Sequence, residues 1–306
     1  MKLRIGHLST FYHTAVLLMA RRDLLKDKGI CPDWRLFGTG PAIVNSFGKD
    51  GLDIAYIGLP PAIIGIEQGL SIKCIAGGHI EGTVVSAKVQ YKGYPEMGDL
   101  GDILQQFCGL KIGVPGKGSI HDVILNDCLK RYGLSDKIEV INFQWSDMIT
   151  EAIVRDEIAA AVGTPSLAVA IERYAGGRII YPPSLLWPNN PSYGIHVNST
   201  FLKRESKMVE QFLLCHEEAT LLLRSREEEV AETISDFIRI VDKDFVLEAL
   251  RISPKYCAQI TEGYVDSTME FVKTMKNLGY IKRVLSSDDI FDTFLIKKIH
   301  PDRAHY

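Results

Sequence analysis

The sequence predicts a two-lobe α/β protein, with the second lobe inserted in the first and a helical extension at the C-terminus. Three observations carry that expectation. The chain has 306 residues, more than the roughly 100–150 typical of one domain. Short apolar runs bounded by Gly and Pro alternate with amphipathic helical stretches, the pattern of parallel sheets covered by helices. That alternation runs once, restarts near residue 99, and gives way after residue 200 to helices with charged outer faces.

In the first run, residues 2–8 read as a strand and 14–26 as a helix with Val16, Leu17, Ala20 and Leu24 on one face. A strand at 34–37 ends in Gly38-Thr39-Gly40-Pro41, before a short helix at 42–47. The strand at 52–57 precedes Gly58-Leu59-Pro60-Pro61 and a helix to Gln68, and strands at 72–76 and 83–89 complete the lobe. The second run has helices at 99–107, 119–132, 147–155 and 167–174, and strands at 111–114, 138–143, 159–162 and 178–181. Ile120, Val123, Ile124 and Cys128 fall at helical spacing, closed by Gly133. A last strand at 192–197 precedes helices at 208–224, 227–240, 245–250 and 265–278. Lobe 1 is thus residues 1–92 and 190–306, and lobe 2 is 93–189. The crossings fall at 91–95 and 186–193, where Pro, Gly and Tyr gather as in hinges.

Composition excludes several classes. With 35 Lys plus Arg against 38 Asp plus Glu, the formal net charge is −3, so no cationic surface invites nucleic acid. The apolar stretch 54–66 is broken by Pro60 and Pro61 and is shorter than the roughly 20 residues of a membrane span. The opening residues read as a strand and a helix, because Arg21-Arg22 stands where an export signal has small residues. For the chain as it stands, a cytoplasmic location is the expectation. The six cysteines form no C-x-x-C pair, and most sit in apolar contexts, as small buried hydrophobes do. No two histidines stand in an H-x-x-x-H or H-E-x-x-H arrangement, and neither a metal nor a cofactor is expected.

In open α/β sheets, ligands bind beyond the carboxyl ends of the strands, at helix N-termini. Donor-rich loops stand at those points: Ser9-Thr10, Gly38 to Pro41, Gly58-Leu59-Pro60, Gly77-Gly78, Gly116 to Ser119, and Gly163-Thr164-Pro165-Ser166. Any one of them is an ordinary turn; six split between two lobes outline a cleft. His13, His79 and His121 lie just past strand ends, as a general base or as structural or ligand-orienting groups. Trp145 and Tyr193 are placed either to stack on a planar ligand or to pack in the core or rim, while Trp34 and Trp187 read as structural. Gly38-Thr39-Gly40 lacks the third glycine of a dinucleotide fingerprint, and Lys117 precedes the last glycine of its loop instead of following it, so no P-loop is formed. No G-x-S-x-G is present.

The runs Gly40-Pro-Ala-Ile-Val-Asn-Ser-Phe, Asp53-Ile-Ala-Tyr-Ile-Gly-Leu-Pro-Pro-Ala and Gly69-Leu-Ser-Ile-Lys-Cys-Ile-Ala-Gly resemble the nitrate/sulfonate/taurine and thiamine-precursor family of ABC-transporter substrate-binding proteins. Gly109-Leu-Lys-Ile-Gly-Val-Pro, Gly118-Ser and Leu129-Lys-Arg-Tyr-Gly-Leu-Ser continue the likeness, which spans about residues 2–200. The resemblance implies a type II periplasmic-binding-protein fold that clamps a ligand between its lobes, an ABC-transporter permease as partner, and a place outside the cytoplasm. It also implies ligand contacts at Ser9, Thr10, Gly40, Pro41, Gly58 to Pro60, Gly118 and Ser119. Gly163-Thr-Pro-Ser166 stands where the family often has Trp-Glu/Asp-Pro-Tyr, which separates this ligand from those of the sulfonate binders.

The expectation is therefore a monomeric binding protein that closes over a small anionic or planar polar metabolite. Its ligand-binding candidates are Ser9, Thr10, His13, Thr39, Gly40, Pro41, Gly58, Leu59, Pro60, Gly78, Gly118, Ser119, His121, Trp145, Thr164 and Tyr193. The alternatives are a cytosolic enzyme of menaquinone- or thiamine-pathway type using His13 or His121, and a ligand sensor that reports lobe closure to a partner.

Overall fold

The computed structural model describes residues 2–49 and 51–306. The first run folds as β1 (Lys2–Leu8), α1 (Thr14–Ala20), α2 (Arg22–Lys26), β2 (Cys31–Phe37), α3 (Gly40–Lys49), β3 (Ile54–Ile57), α4 (Leu59–Glu67) and β4 (Ile72–Ile80). The second comprises β5 (Val84–Lys88), α5 (Leu100–Gln105), β6 (Lys111–Pro115), α6 (Ile120–Arg131), β7 (Glu139–Phe143), α7 (Ser146–Val154), β8 (Ala160–Gly163), α8 (Pro165–Ala175), β9 (Gly177–Tyr181) and α9 (Pro183–Leu186). The chain returns through β10 (Pro191–Asn198). It ends in α10 (Ser199–Arg204), α11 (Ser206–Ser225), α12 (Glu227–Ile238), α13 (Lys243–Ile252), α14 (Glu262–Asn277), α15 (Ser287–Ile290) and α16 (Phe294–Ile299). No helix among the described residues is long and apolar enough to cross a membrane.

Two five-stranded sheets form, in the orders β2-β1-β3-β10-β4 and β7-β6-β8-β5-β9. The two-lobe α/β architecture stands, but two expectations need correction. First, the run at 83–89 belongs to lobe 2. Strand β5 pairs with β8 and β9, so the chain crosses at residues 81–83, not at 91–95, and lobe 1 does not extend to residue 92. Second, neither sheet is purely parallel: β5 runs antiparallel to its neighbours, and β10 runs antiparallel to β3 and β4. The cause is geometric. Both lobes turn the carboxyl ends of their βα strands toward the cleft, so a strand arriving from the other lobe must enter from that end and run the opposite way.

The two crossings are tied together. Glu81 and Asn189, one in each, both adopt the left-handed backbone region, with φ of 59° and 56°. Asn189 N donates to Glu81 Oε1 at 2.9 Å, Glu81 N donates to Asn190 O at 2.8 Å, and Lys255 Nζ lies 2.7 Å from Glu81 Oε2. Two backbones that L-residues rarely adopt are held here by mutual hydrogen bonds.

A third correction concerns Gly77-Gly78 and His79, which lie inside β4 and not in a loop beyond it. A Cβ on Gly78 would stand 2.1 Å from Tyr193 Cε2 of β10, so the glycine makes room for that ring. The pairing of β4 with β10 shifts register around Tyr193, as strands do where a bulky side chain must pass a neighbouring backbone. Cys74, Cys128, Cys215 and Cys257 are buried, whereas Cys31 and Cys108 are exposed. Burial pushes the Cys74 thiol up to about 12.

Candidate functional site

The carboxyl ends of β1, β2 and β3 face those of β6, β7 and β8 across the cleft, and each leads into a helix. The starts of these helices line one cavity: His13 before α1, Thr39 and Gly40 at α3, and Gly58 before α4 on one side. On the other stand Ser119, Ile120 and His121 at α6, Ser146 at α7 and Thr164 before α8. The caps follow from local sequence. Ser119 Oγ accepts from Asp122 N at 3.2 Å, and Thr164 Oγ1 accepts from Leu167 N at 3.2 Å, each satisfying a donor that the helix leaves unpaired.

The cavity volume is about 50 Å³, far below the roughly 300–1,000 Å³ of sites for drug-sized ligands. This closed arrangement admits only a small molecule. The cavity lining contains no Lys, Arg, Asp or Glu among the described residues. A larger hollow of about 570 Å³ lies between α1, α2, β2 and Phe237, but it is an outer groove on one lobe without convergent helix starts.

Contacts across the cleft are close. A Cβ on Gly116 would stand 2.8 Å from Thr39 Cγ2, and one on Gly38 would stand 2.6 Å from Gln144 O and 3.0 Å from Trp145 Cε2. The glycines at these loops permit the approach of one lobe to the other.

Three imidazoles surround the cavity. His13 is 2% exposed, with its ring 4.0 Å from that of Tyr193, and its buried Nδ1 has no hydrogen-bond partner. Burial, reinforced by His79, His7 and His121, holds it well below the usual imidazole range. His121 pairs its Nδ1 with Thr83 Oγ1 at 3.1 Å, and burial lowers it to about 3. His79 stands behind the wall, bonded to Ser192 Oγ at 2.9 Å and Ser253 O at 2.5 Å. Burial lowers it to about 4. All three are neutral at pH 7.

The structure brings Ser9, Thr10, His13, Thr39, Gly40, Gly58, Ser119, His121 and Thr164 to the cavity wall. Pro41, Leu59 and Pro60 stand within the first turns of α3 and α4 but not on the wall, which Pro61 reaches instead. Gly118 (φ 81°) donates its N–H to Asp122 Oδ2 at 2.7 Å, forming the turn before α6. Trp145, 40% exposed, stands at the mouth against Gly38. Tyr193 is fully buried behind His13, and its hydroxyl accepts from Thr14 N at 3.3 Å. It supports the wall rather than facing a ligand. Sequence reasoning did not single out Tyr12, Ser146 or Ser192, all on the wall. Ser146 directly follows Trp145 at a strand end and was legible there; Ser192 opens the return strand and carries no local signal.

Comparison with known proteins agrees with this architecture. The alkanesulfonate-binding protein of Xanthomonas axonopodis pv. citri, bound to MOPS, superposes with a TM-score of 0.80 at 14% identity, over 95% of this chain and 98% of that one. The periplasmic nitrate-binding protein of Synechocystis PCC 6803 gives 0.79 at 12% identity, over 98% and 88%. These likenesses show the periplasmic-binding-protein fold. A Brucella abortus protein named "Putative binding protein" is 25% identical over 251 residues, 80% of this chain and 74% of its own. The model of the NMT1-like family matches residues 1–238. With most of its length matched in this way, the chain belongs to the NMT1-like family.

Proposed function

We propose that this chain is the solute-binding component of an ABC-type import system: a monomer that closes its lobes over one small anionic or planar polar metabolite and presents it to a membrane permease. The observation that carries this reading is the convergence of helix starts from both lobes on one small, enclosed cavity lined by no charged side chain. Helix N-termini favour a negative group by about 0.3–1 kcal/mol each at exposed sites, and more where water is excluded. Five of the helices involved (α3, α4, α6, α7 and α8) have nine or more residues. Pro60, Pro61 and Pro165 remove some of their N–H donors, so the anionic attraction is diffuse rather than a tight cradle. The names of the sulfonate- and nitrate-binding neighbours fit a small anion.

The unpaired Nδ1 of His13 is the observation that favours the enzyme alternative, in which His13 or His121 moves a proton. Their acidity argues against it. A general base works best with a pKa near the operating pH, and both imidazoles are held far below that. They suit holding a ligand better than moving its protons.

Native mass spectrometry of the purified protein, with identification of any released molecule, tests the proposal. One small metabolite per chain, bound without conversion, is the expected result. Turnover of that molecule, abolished by His13→Ala or His121→Ala, would replace binding with catalysis.

A further inference from the structure

The polarity of one wall residue is settled by the groups behind it. The carbonyl of Ser253 can only accept, so His79 Nε2, 2.5 Å away, carries the imidazole proton. The ring is fully buried and its two hydrogen-bond partners are a hydroxyl and a backbone carbonyl, not a carboxylate, so it is neutral and its Nδ1 is a lone pair. Ser192 Oγ, 2.9 Å from that Nδ1, must therefore spend its only proton on His79. Gly82 N–H donates to the same oxygen at 2.7 Å. One lone pair of Ser192 remains, on a residue that lines the cavity. Across the cleft, Ser119 is in the same condition: its hydroxyl donates to Pro115 O at 3.0 Å and accepts from Asp122 N at 3.2 Å.

We propose that Ser192, oriented by His79 and Gly82, is a specificity-determining residue that selects ligands bearing an O–H or N–H donor, with Ser119 making the same demand from the opposite lobe. The inference rests on the solute-binding reading and narrows its ligand class. An acceptor-only molecule such as a bare inorganic oxyanion sets its own lone pairs against the remaining lone pair of each hydroxyl. A full cation finds no carboxylate on the wall. The ligand that satisfies both the helix starts and the two hydroxyls is a small hydroxy-acid, an amide or a heterocycle with a ring N–H. The arrangement also links selection to closure, because Gly82 lies in one of the two crossings between lobes and its N–H is bonded to Ser192.

Two measurements test this on the full chain. Long-range ¹H–¹⁵N correlation of the imidazoles should find the His79 proton on Nε2; a proton on Nδ1 would make Ser192 a donor and overturn the proposal, whatever binds. Calorimetry with matched probes, glycolate against acetate and isethionate against ethanesulfonate, should favour the hydroxylated member of a pair by at least about tenfold, as for a buried acceptor otherwise left unpaired. Ser192→Ala should cut that preference severalfold, to the share that Ser119 sets, and Ser192→Thr, which keeps the hydroxyl, should retain it in full; a melting curve for each confirms that it is folded. Equal binding of both members, or a preference undiminished in Ser192→Ala, removes the selectivity alone. An empty cavity, with no probe bound and no co-purified molecule, removes the solute-binding reading and this inference together.

Discussion

The two lobes supply the same number of helix starts to the cleft and build their walls from opposite chemistry. In and behind the lobe 1 wall lies a cluster of tilted rings: Tyr12 against His79 at 4.7 Å, His13 against Tyr193 at 4.0 Å, and His79 against Tyr256 at 4.7 Å between centroids. Behind the lobe 2 wall lies one carboxylate. Asp122, 1% exposed, accepts from Gly118 N at 2.7 Å, Asn142 Nδ2 at 2.9 Å, Asn126 Nδ2 at 3.0 Å and Tyr280 Oη at 2.7 Å. Lobe 1 holds its site by buried, neutral, polarisable rings; lobe 2 holds its site by donors gathered around one acidic group. The difference predicts distinct ways for each half to fail.

The largest effect should come from acid, and it should strike lobe 1 harder, because that lobe holds several buried imidazoles where lobe 2 holds His121 alone among the described residues. Burial lowers His79, His196 and His216 to about 4 and holds His13 well below the usual imidazole range, against about 6.5 in an unfolded chain. Below pH 6.5 the unfolded state therefore binds more protons than the folded one. Stability is complete above that pH and falls as pH drops toward 4, at up to about 1.4 kcal/mol per pH unit for each histidine. Urea midpoints measured between pH 7.5 and 5 should decline steeply, and backbone amides of β1, β4 and β10 should lose protection from hydrogen exchange before those of β6 and β7. Simultaneous loss in both sheets would erase the contrast between the lobes.

The corresponding break in lobe 2 is Asp122→Ala. It strands donors from four residues around one buried site, for a loss on the order of 4 kcal/mol, read from urea unfolding. Tyr280→Phe removes a single bond to that carboxylate, for about 2 kcal/mol. Burial and Asp122 both raise the Tyr280 phenol, so it remains a donor at any physiological pH. The segment after α14 also reaches lobe 1, since Lys282 N donates to Glu67 Oε1 at 3.1 Å. Small-angle scattering of Tyr280→Phe should therefore show a larger radius than the parent chain. Back in lobe 1, Gly78→Ala forces a methyl into the Tyr193 ring and should destabilise by about 1–3 kcal/mol, the usual range for overpacking. A neutral result would show that the Tyr193 ring can move, and with it His13.

What the sequence made legible follows the same division between near and far. Helix starts such as Thr39-Gly40, Ser119 and Thr164 could be read because a strand end, a cap and a first turn are neighbours along the chain. Strand β5 was legible as a strand, but its sheet was not, since membership depends on pairing with β8 and β9 some 70 or more residues later. Gly77-Gly78 reads as punctuation in a sequence; only distant groups, the Tyr193 ring for Gly78 and Gln259 O with the Tyr306 hydroxyl for Gly77, explain why glycine stands inside a strand. Ser192 was invisible for the strongest reason of this kind. Its role depends on His79, Gly82 and Ser253, which no periodicity or spacing brings together.

The smallest expected effect lies on the seam between the lobes. Arg173 of α8 reaches α13, with Nη1 2.9 Å from Asp242 Oδ2, Nη2 3.0 Å from Glu248 Oε1, and its guanidinium 5.2 Å from the Phe245 ring. The hydrogen bonds to Glu248 and Asp242 raise the Arg173 pKa further. Yet the side chains of Asp242 and Glu248 are 65% and 52% exposed, and water screens such pairs. Arg173→Ala should therefore destabilise by no more than about 1 kcal/mol, a loss that shrinks as salt rises from 50 mM to 1 M. Arg173 makes as many polar contacts across the seam as Asp122 makes around its site, so the pair of variants isolates burial from bond count. If Arg173→Ala equals Asp122→Ala in urea unfolding, and keeps its effect at 1 M salt, the seam is held by charge rather than by the buried cluster, and the contrast drawn between the two lobes no longer explains how they stay closed.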